Sequence, residues 1–463
     1  MDRRRAAISI DWILLSVFLG ILLIGWLMLY SVSYVGPGLW FDINSIVGRQ
    51  TIWMGISLIA FMMFYTIDWR IINTLAFPIY ALSCLMLIAV LIFGHEIKGA
   101  TSWFSVFGFS FQPSEIAKFG TALGLAAYLS QPSVKLDEPK DVFISLALIL
   151  FPLGLIILQP DPGTAVIFIA FIIPLFRAGL NASLYLLGLS LAFILIGSLL
   201  WTPYSMVLII LLVSYFVFSI QNKEKRLPLS ILALLTLFAI SSYNYIDYWI
   251  LLGVIFLAGF YFFFLVYKQA RYRLITIATI VSFSSIGLSF GTQWGFDNFL
   301  KPHQQDRINV WLRPELSDPR GALYNIIQSK TAIGSGGFTG KGFLEGNMTK
   351  LNYVPEQSTD FIFSILGEEQ GFLGSVSLIL LFTLLVFRIS IIAERANLVF
   401  IRYYAYGVAG LIFFHFFINI GMTTGIMPVI GIPLPLMSKG GSSLLSFSIM
   451  IAVLLKMDLS RIR

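Results

Sequence analysis

The residues of this chain that could do chemistry gather in one stretch, positions 292–360. It holds seven acids (Asp297, Asp306, Glu315, Asp318, Glu345, Glu356, Asp360) and seven bases (Lys301, Arg307, Arg313, Arg320, Lys330, Lys341, Lys350). Carboxylates can accept protons, and guanidinium and ammonium groups can hold phosphate. Glycine recurs at 321, 334, 336, 337, 340, 342 and 346, so the backbone can turn tightly and approach a ligand closely. A connection of this length without regular structure is seldom kept unless it carries function. Pro319 disfavours helix at Asp318 and predicts a turn that presents the carboxylate. The stretch is the expected seat of the chemistry.

Other ionisable candidates lie elsewhere. In QPSEIAKFG, Pro113 suits the first turn of a helix. Glu115 and Lys118 then stand three apart on one face of an otherwise apolar segment. They either lock neighbouring helices as an ion pair or line a substrate cavity, because charges at membrane depth face each other or water. Arg49 closes the first polar loop and either snorkels to a membrane boundary or contacts a phosphate. Asp161, between prolines in LQPDPGTA, reads as a turn former. Asp360, Glu368 and Glu369 open the helix that follows the polar stretch.

The elements that position these residues belong to a membrane protein. The chain of 463 residues is 58% hydrophobic and 11% charged, with a mean hydropathy of +0.88, far from the roughly 25% charge of soluble domains. The net charge of +7 is dispersed between apolar runs, which fits membrane orientation and not nucleic acid. Cys84 is the single cysteine, and histidine occurs only at 95, 303 and 415, so neither a disulfide nor a polyhistidine metal site is expected. No D-x-D pair occurs, which argues against a nucleotide-sugar donor.

Apolar runs long enough to span, about 20 residues each, fall near 11–34, 51–67, 72–93, 112–130, 142–158 and 163–179, then 181–201, 204–220, 228–243, 248–267 and 274–291, then 361–387, 402–424 and 441–457. The first is too long for a signal peptide core and lacks a cleavage site. The expected fold is an all-α polytopic bundle of about fourteen helices. Its parts are 1–180 (six helices), 181–291 (five), the polar loop 292–360 and 361–463 (three). With the N-terminus in the cytoplasm, nineteen of the thirty Lys and Arg lie on inside segments and seven others in the polar stretch. That satisfies the positive-inside rule, puts both termini inside and turns the polar loop outward. Residues 99–120 hold a short aromatic stretch (Trp103, Phe104, Phe107, Phe109, Phe111) suited to the interface. The Pro/Gly-rich segment 419–443 cannot be one continuous helix. It is expected to be re-entrant or extended, and covered by protein at membrane depth.

Together these residues carry a resemblance. PLPLMSKGGSS with the preceding NIGMTTGIMPVIG resembles the signature of the SEDS family of bacterial shape, elongation, division and sporulation proteins (RodA, FtsW, SpoVE). QPSEIAK, QPDPGTA, DPRGALYNIIQSKTAIGSGGFTGKG and VPEQSTDFIFSILGEEQGFLG resemble its other hallmarks in order. The matching blocks run from about Arg49 to the C-terminus, and IIQSKTAIGSGGFTGKG and LNYVPEQSTDFIF are more similar to the elongation branch than to the division branch. The chain departs at Lys439, where the family has an aromatic, and at 181–291, where five apolar runs stand in place of one. Four added helices are an even number, so the polar loop keeps its side.

The resemblance implies a ten-helix core in the bacterial cytoplasmic membrane and a peptidoglycan glycosyltransferase that polymerises lipid II. It implies partnership with a class B penicillin-binding protein that crosslinks the product, and with other membrane proteins of the elongation complex. The family's essential loop aspartate, in its D-P-x-G context, falls on Asp318, which could take the proton of the acceptor hydroxyl as general base. Arg49, Lys118, Arg313, Arg320, Lys330 and Lys439 are candidates for the leaving pyrophosphate. Glu115, Glu356, Asp360 and Ser438 complete the candidate substrate site. A divalent cation (Mg or Mn) held by Asp318 and another acid is an open alternative. So are two other functions, a lipid II flippase and a non-catalytic scaffold for the crosslinking enzyme.

Overall fold

The computed structural model describes residues 10–34, 45–97, 99–106, 109–201, 272–300, 302–317 and 321–460, with isolated positions at 205–206, 209–210, 253, 257, 260 and 264. Asp318, Arg320 and the run expected at 228–243 lie outside the described residues, as do all but those isolated positions of the runs expected at 204–220 and 248–267.

Two compact units form. One comprises residues 1–181 and 318–463, the other residues 182–317. The polar stretch 292–360 is thus divided between them.

In the first unit, helices α1 (Trp12–Ser33) and α2 (Ile46–Thr66) each begin at a side-chain cap. Asp11 Oδ1 accepts from the Leu14 amide at 3.0 Å and Ser45 Oγ from the Gly48 amide at 2.9 Å, filling donors that a helix start leaves open. A short helix, α3 (Trp69–Thr74), leads to α4 (Ala76–Phe93).

Next comes a departure from the expected all-α fold. Between α4 and the next long helix stands a three-stranded antiparallel sheet of β1 (His95–Ile97), β2 (Ala100–Val106) and β3 (Phe109–Phe111). Phe104 pairs with Phe111 and Ser105 with Ser110. Alternating Ser and aromatic residues suit two-faced strands, and Gly99, at φ 85°, supplies the left-handed position a tight turn needs.

Helices α5 (Pro113–Leu129) and α6 (Pro139–Leu158) both open on proline, whose missing N–H costs nothing there. The apolar segment 162–177 is broken. It runs as α7 (Pro162–Ile167), a 3-10 turn at Phe168–Phe171 and α8 (Ile172–Arg177). Pro174 offers no amide to the Ala170 carbonyl, and Gly410 packs closely against that carbonyl instead.

The second unit contains α9 (Ala182–Leu200), α10 (Tyr272–Phe299) and α11 (Pro302–Leu312). Ser198 Oγ donates to Ser289 Oγ at 2.9 Å between α9 and α10. Back in the first unit, α12 (Ala322–Ser335) and the single turn α13 (Asn347–Lys350) precede the long α14 (Ile362–Arg395), then α15 (Val399–Thr423) and α16 (Gly441–Leu459). Much of 292–360 is therefore helical, where the glycine count alone suggested an irregular loop.

Eight helices among the described residues are long and apolar enough to cross a membrane. Burial separates them. α15 and α16 are 78% and 72% buried over their apolar windows, against 28% for α2, α4 and α6. The outer helices present Ile59, Met62, Leu85, Ile92 and Phe93 at their surfaces, as lipid-facing helices do. The inner helices α5, α15 and α16 carry the polar network described below. At one end of this unit, the start of α1 meets the ends of α14 and α16. Asp11 accepts from Arg388 at 2.6 Å and Arg395 at 2.9 Å, and Arg395 also pairs with Asp458 at 2.6 Å. Burial raises the Asp11 pKa, but the Arg388 hydrogen bond, the Leu14 amide and the two arginine charges outweigh it and hold the carboxyl below its ordinary range.

Candidate functional site

The Pro/Gly-rich segment is the framework of the site. α15 runs to Thr423, so the first residues of 419–443 are helical, and 424–440 is irregular before α16 begins. Irregular backbone inside a helical bundle must find partners for its polar groups. His415 and Asn419, four apart on α15, supply two of them. Asn419 Nδ2 donates to the Ile432 carbonyl at 2.7 Å and to the Asp360 carbonyl at 2.9 Å. His415 Nδ1 lies 3.3 Å from the Pro433 carbonyl. The Thr423 carbonyl accepts from Ser329 Oγ on α12 at 2.8 Å. Within the segment, Ser438 Oγ accepts from the Leu434 amide at 2.9 Å. Its close cover is steric as well: a methyl added at Gly25 of α1 would stand 2.5 Å from Met437 Cα, and one at Gly163 of α7 2.4 Å from the Ile430 carbonyl.

Several of the expected site residues come together on this framework. The turn 356–360 docks on it through Ser438 Oγ, which donates to the Thr359 carbonyl, and the Lys439 amide, which donates to the Ser358 carbonyl at 2.8 Å. Glu356 (φ 56°) and Leu436 (φ 65°) hold left-handed conformations on the two docked segments, each costing a non-glycine residue about 1–2 kcal/mol. Such strain is kept where the surroundings over-determine it, often at functional sites. The start of α2 abuts the same segment, with Gln50 Oε1 facing the Gly440 amide at 3.4 Å. Arg49, Lys330 and Lys439 are exposed, each on an element that packs on this framework, and the Lys330 stem occupies the space left by Gly425. Arg313 lies in the other unit, where Nη2 donates to the Leu200 carbonyl at 3.2 Å.

Glu115 and Lys118 sit deeper. Lys118 Nζ donates to Glu115 Oε1 at 2.8 Å and stands 2.8 Å from His415 Nε2. Lys118 is 0% exposed, Glu115 3% and His415 2%. The ammonium lies 5.4 Å from the centre of the Phe447 ring, which the His415 ring meets edge-on, and Ser446 Oγ donates to the Glu115 carbonyl at 2.8 Å. α5, α15 and α16 are thus joined at one buried charge centre. Asp161 is the N-cap of α7. It accepts from the Thr164 amide at 3.1 Å and from Gln112 Nε2 at 2.9 Å, in keeping with a structural turn.

The glycine-rich stretch approaches protein backbone closely. Gly371, at φ 63° and ψ −155°, interrupts α14 and frees the carbonyls before it and the amides after it. The loop takes both. Lys341 and Gly342 amides donate to the Glu368 and Glu369 carbonyls at 3.1 and 2.9 Å, while Phe372 and Leu373 amides donate to the Gly337 and Phe338 carbonyls at 2.9 and 3.1 Å. The buried Glu368 carboxylate anchors the same loop, accepting from Lys341 Nζ at 2.7 Å, the Met348 amide at 2.9 Å and the Thr349 hydroxyl at 2.8 Å. Glu369 accepts from Ser31 of α1. Gly340 has φ 83°, and a methyl there would stand 2.1 Å from the Glu369 carbonyl. Gly340→Ala should therefore undock the loop. Loss of the four backbone hydrogen bonds, at about 1 kcal/mol each, should erase amide-exchange protection at 341, 342, 372 and 373. Unchanged protection there would contradict this packing.

His415, Asn419 and the Glu368 anchor escaped the sequence reading. A signal existed for the first two: His415, Asn419 and Thr423 recur every four residues in an apolar helix, a polar stripe that must face protein. Among the described residues, no group of three or more His, Cys, Asp or Glu is placed to hold a metal ion.

Comparison with known proteins adds to this geometry. The cell cycle protein family FtsW/RodA/SpoVE matches residues 11–216 and 204–462. The chain is 34% identical to the peptidoglycan glycosyltransferase RodA of Treponema pallidum over 99% of both chains. It is 31% identical to the peptidoglycan glycosyltransferase MrdB of Escherichia coli K12, over 95% of this chain and 90% of that one. In fold it is similar to a chain from a peptidoglycan synthase complex that coordinates polymerization and crosslinking (TM-score 0.64, 24% identity, 98% and 99% covered). It is also similar to the rod shape determining protein RodA of Thermus thermophilus (TM-score 0.57, 23% identity, 98% of both covered).

Proposed function

The chain belongs to the FtsW/RodA/SpoVE family of cell cycle proteins, and from that membership we propose that it is a peptidoglycan glycosyltransferase polymerising lipid II for cell elongation and shape. The observation that carries the proposal is near full-length identity of 31–34% to glycosyltransferases of this kind. The site chemistry agrees with it. In the reaction, the C4 hydroxyl of one sugar attacks the anomeric carbon of another, and undecaprenyl pyrophosphate leaves. Asp318 takes the hydroxyl proton. Arg49, Lys330 and Lys439, with Arg320, are the cations offered to the leaving pyrophosphate. Glu356, Asp360 and Ser438 shape the substrate site around the 431–440 segment, and the Glu115–Lys118 pair supports it from below. A Mg or Mn ion held by Asp318 would supply further charge to the pyrophosphate.

In this reading the protein spans the bacterial cytoplasmic membrane with both termini in the cytoplasm. Its ten-helix core is extended by about four helices within 181–291, and the 292–360 stretch faces outward. The distribution of lysine and arginine supports that orientation. A class B penicillin-binding protein is the expected crosslinking partner, alongside other membrane proteins of the elongation complex. The fold similarity to a chain of a peptidoglycan synthase complex supports that expectation.

The test is polymerisation of purified lipid II by the protein with its crosslinking partner, with and without added Mg or Mn, resolved as glycan ladders. Polymer should form. Movement of lipid II across proteoliposomes with no polymer would overturn the proposal in favour of a flippase.

A further inference from the structure

His415 occupies a position that neither the catalytic aspartate nor the phosphate-binding cations explain. Its two ring nitrogens face groups of fixed character. Nε2 stands 2.8 Å from Lys118 Nζ, and Nδ1 3.3 Å from the Pro433 carbonyl. An ammonium has donors and no acceptor, and a carbonyl has only acceptors. Nε2 must therefore be the lone-pair nitrogen and Nδ1 must carry the hydrogen. The partners dictate the tautomer. A protonated imidazole would place a second N–H against the ammonium, to which, among the described residues, the Glu115 carboxylate is the one anion bonded.

We propose that His415 is a positioning residue of the polymerisation reaction, acting as a neutral Nδ1–H imidazole that couples the buried Glu115–Lys118 pair to the 431–440 segment. The inference rests on the glycosyltransferase reading above. The coupling runs through named bonds. Lys118 donates to His415, His415 donates to Pro433, and Ser438 and the Lys439 amide of the same segment hold the 358–359 carbonyls. The turn so held carries Glu356 and leads into Asp360. The Phe447 ring packs edge-on against the imidazole and fixes its plane, so both hydrogen bonds keep their direction.

Two variants separate hydrogen bonding from shape. Glutamine presents an amide N–H and a carbonyl oxygen at about the reach of the two ring nitrogens, so His415→Gln can replace both bonds. His415→Phe keeps a ring against Phe447 and loses both. With the partner present, His415→Gln should retain at least about half of the wild-type polymerisation rate, and His415→Phe should lose about tenfold or more at equal partner binding. A fully active His415→Phe, or a His415→Gln as defective as His415→Phe, overturns the proposal.

A spectroscopic readout holds even if His415→Phe fails to fold. The chain has three histidines, so ¹⁵N-histidine labelling in lipid nanodiscs gives a spectrum in which His415 is identified by its loss in His415→Gln. The Nδ1–H tautomer is expected. An Nε2–H tautomer in the wild type would overturn the assignment whether or not the protein polymerises lipid II, whereas an inactive wild type with the expected tautomer would overturn the glycosyltransferase reading alone.

Discussion

Asp318→Asn should lower lipid II polymerisation by about a hundredfold or more, the lower end of what a positioned proton acceptor contributes. Asparagine keeps the size and much of the hydrogen-bonding capacity of aspartate but cannot accept the hydroxyl proton. The variant should therefore keep its thermal midpoint and its partner, so that the loss falls on the chemical step. Full activity would return Asp318 to the role of a simple Asp-Pro turn, leaving family membership untouched because that rests on the whole chain. Partial recovery on raising Mg or Mn would assign the carboxylate to cation binding. A variant inactive at every metal concentration supports the general base.

Most membrane helices of the first unit were legible because their signal is length and apolarity, which local sequence carries. The run expected at 163–179 is the exception, broken into α7, a 3-10 turn and α8. The runs expected at 11–34, 51–67 and 441–457 fall on α1, α2 and α16. The small sheet was not legible as such, although Lys98-Gly99 is a turn signal and the Thr, Trp, Phe and Val of 100–106 are strand formers. The adjacent Trp103 and Phe104 break the period of two that a strand reading needs. The glycines of 334–342 were expected to bring the backbone close to a ligand, and what they approach in the structure is protein. Their partner is the backbone of α14 around Gly371, some thirty positions on, and the pairing exists because α14 is interrupted there. Glu115 and Lys118 were legible as a pair from their spacing. Their third member was not, because His415 lies 297 residues from Lys118, and a lone histidine in an apolar helix gives no hint of its partner.

Lys118→Met is expected to be among the most destabilising single changes in the chain. It strands the Glu115 carboxylate, buried and already with one oxygen, Oε2, unpartnered, and removal of one member of a buried ion pair typically costs about 3–5 kcal/mol. Glu115→Gln combined with Lys118→Met removes both charges and should recover most of that loss, since a buried pair is often replaceable by neutral groups of similar volume. The thermal midpoint of the two variants in the same detergent, read against wild type, measures this directly. Activity then separates the two roles open to the pair. If its work is only to lock α5 to α15, the double variant should recover polymerisation along with stability. If the ammonium bears on the leaving pyrophosphate or, through His415, on the 431–440 segment, the double variant should be stable and still at least about tenfold slow. The His415 coupling requires the second result. A stable double variant with wild-type rate would reduce Glu115, Lys118 and His415 to packing.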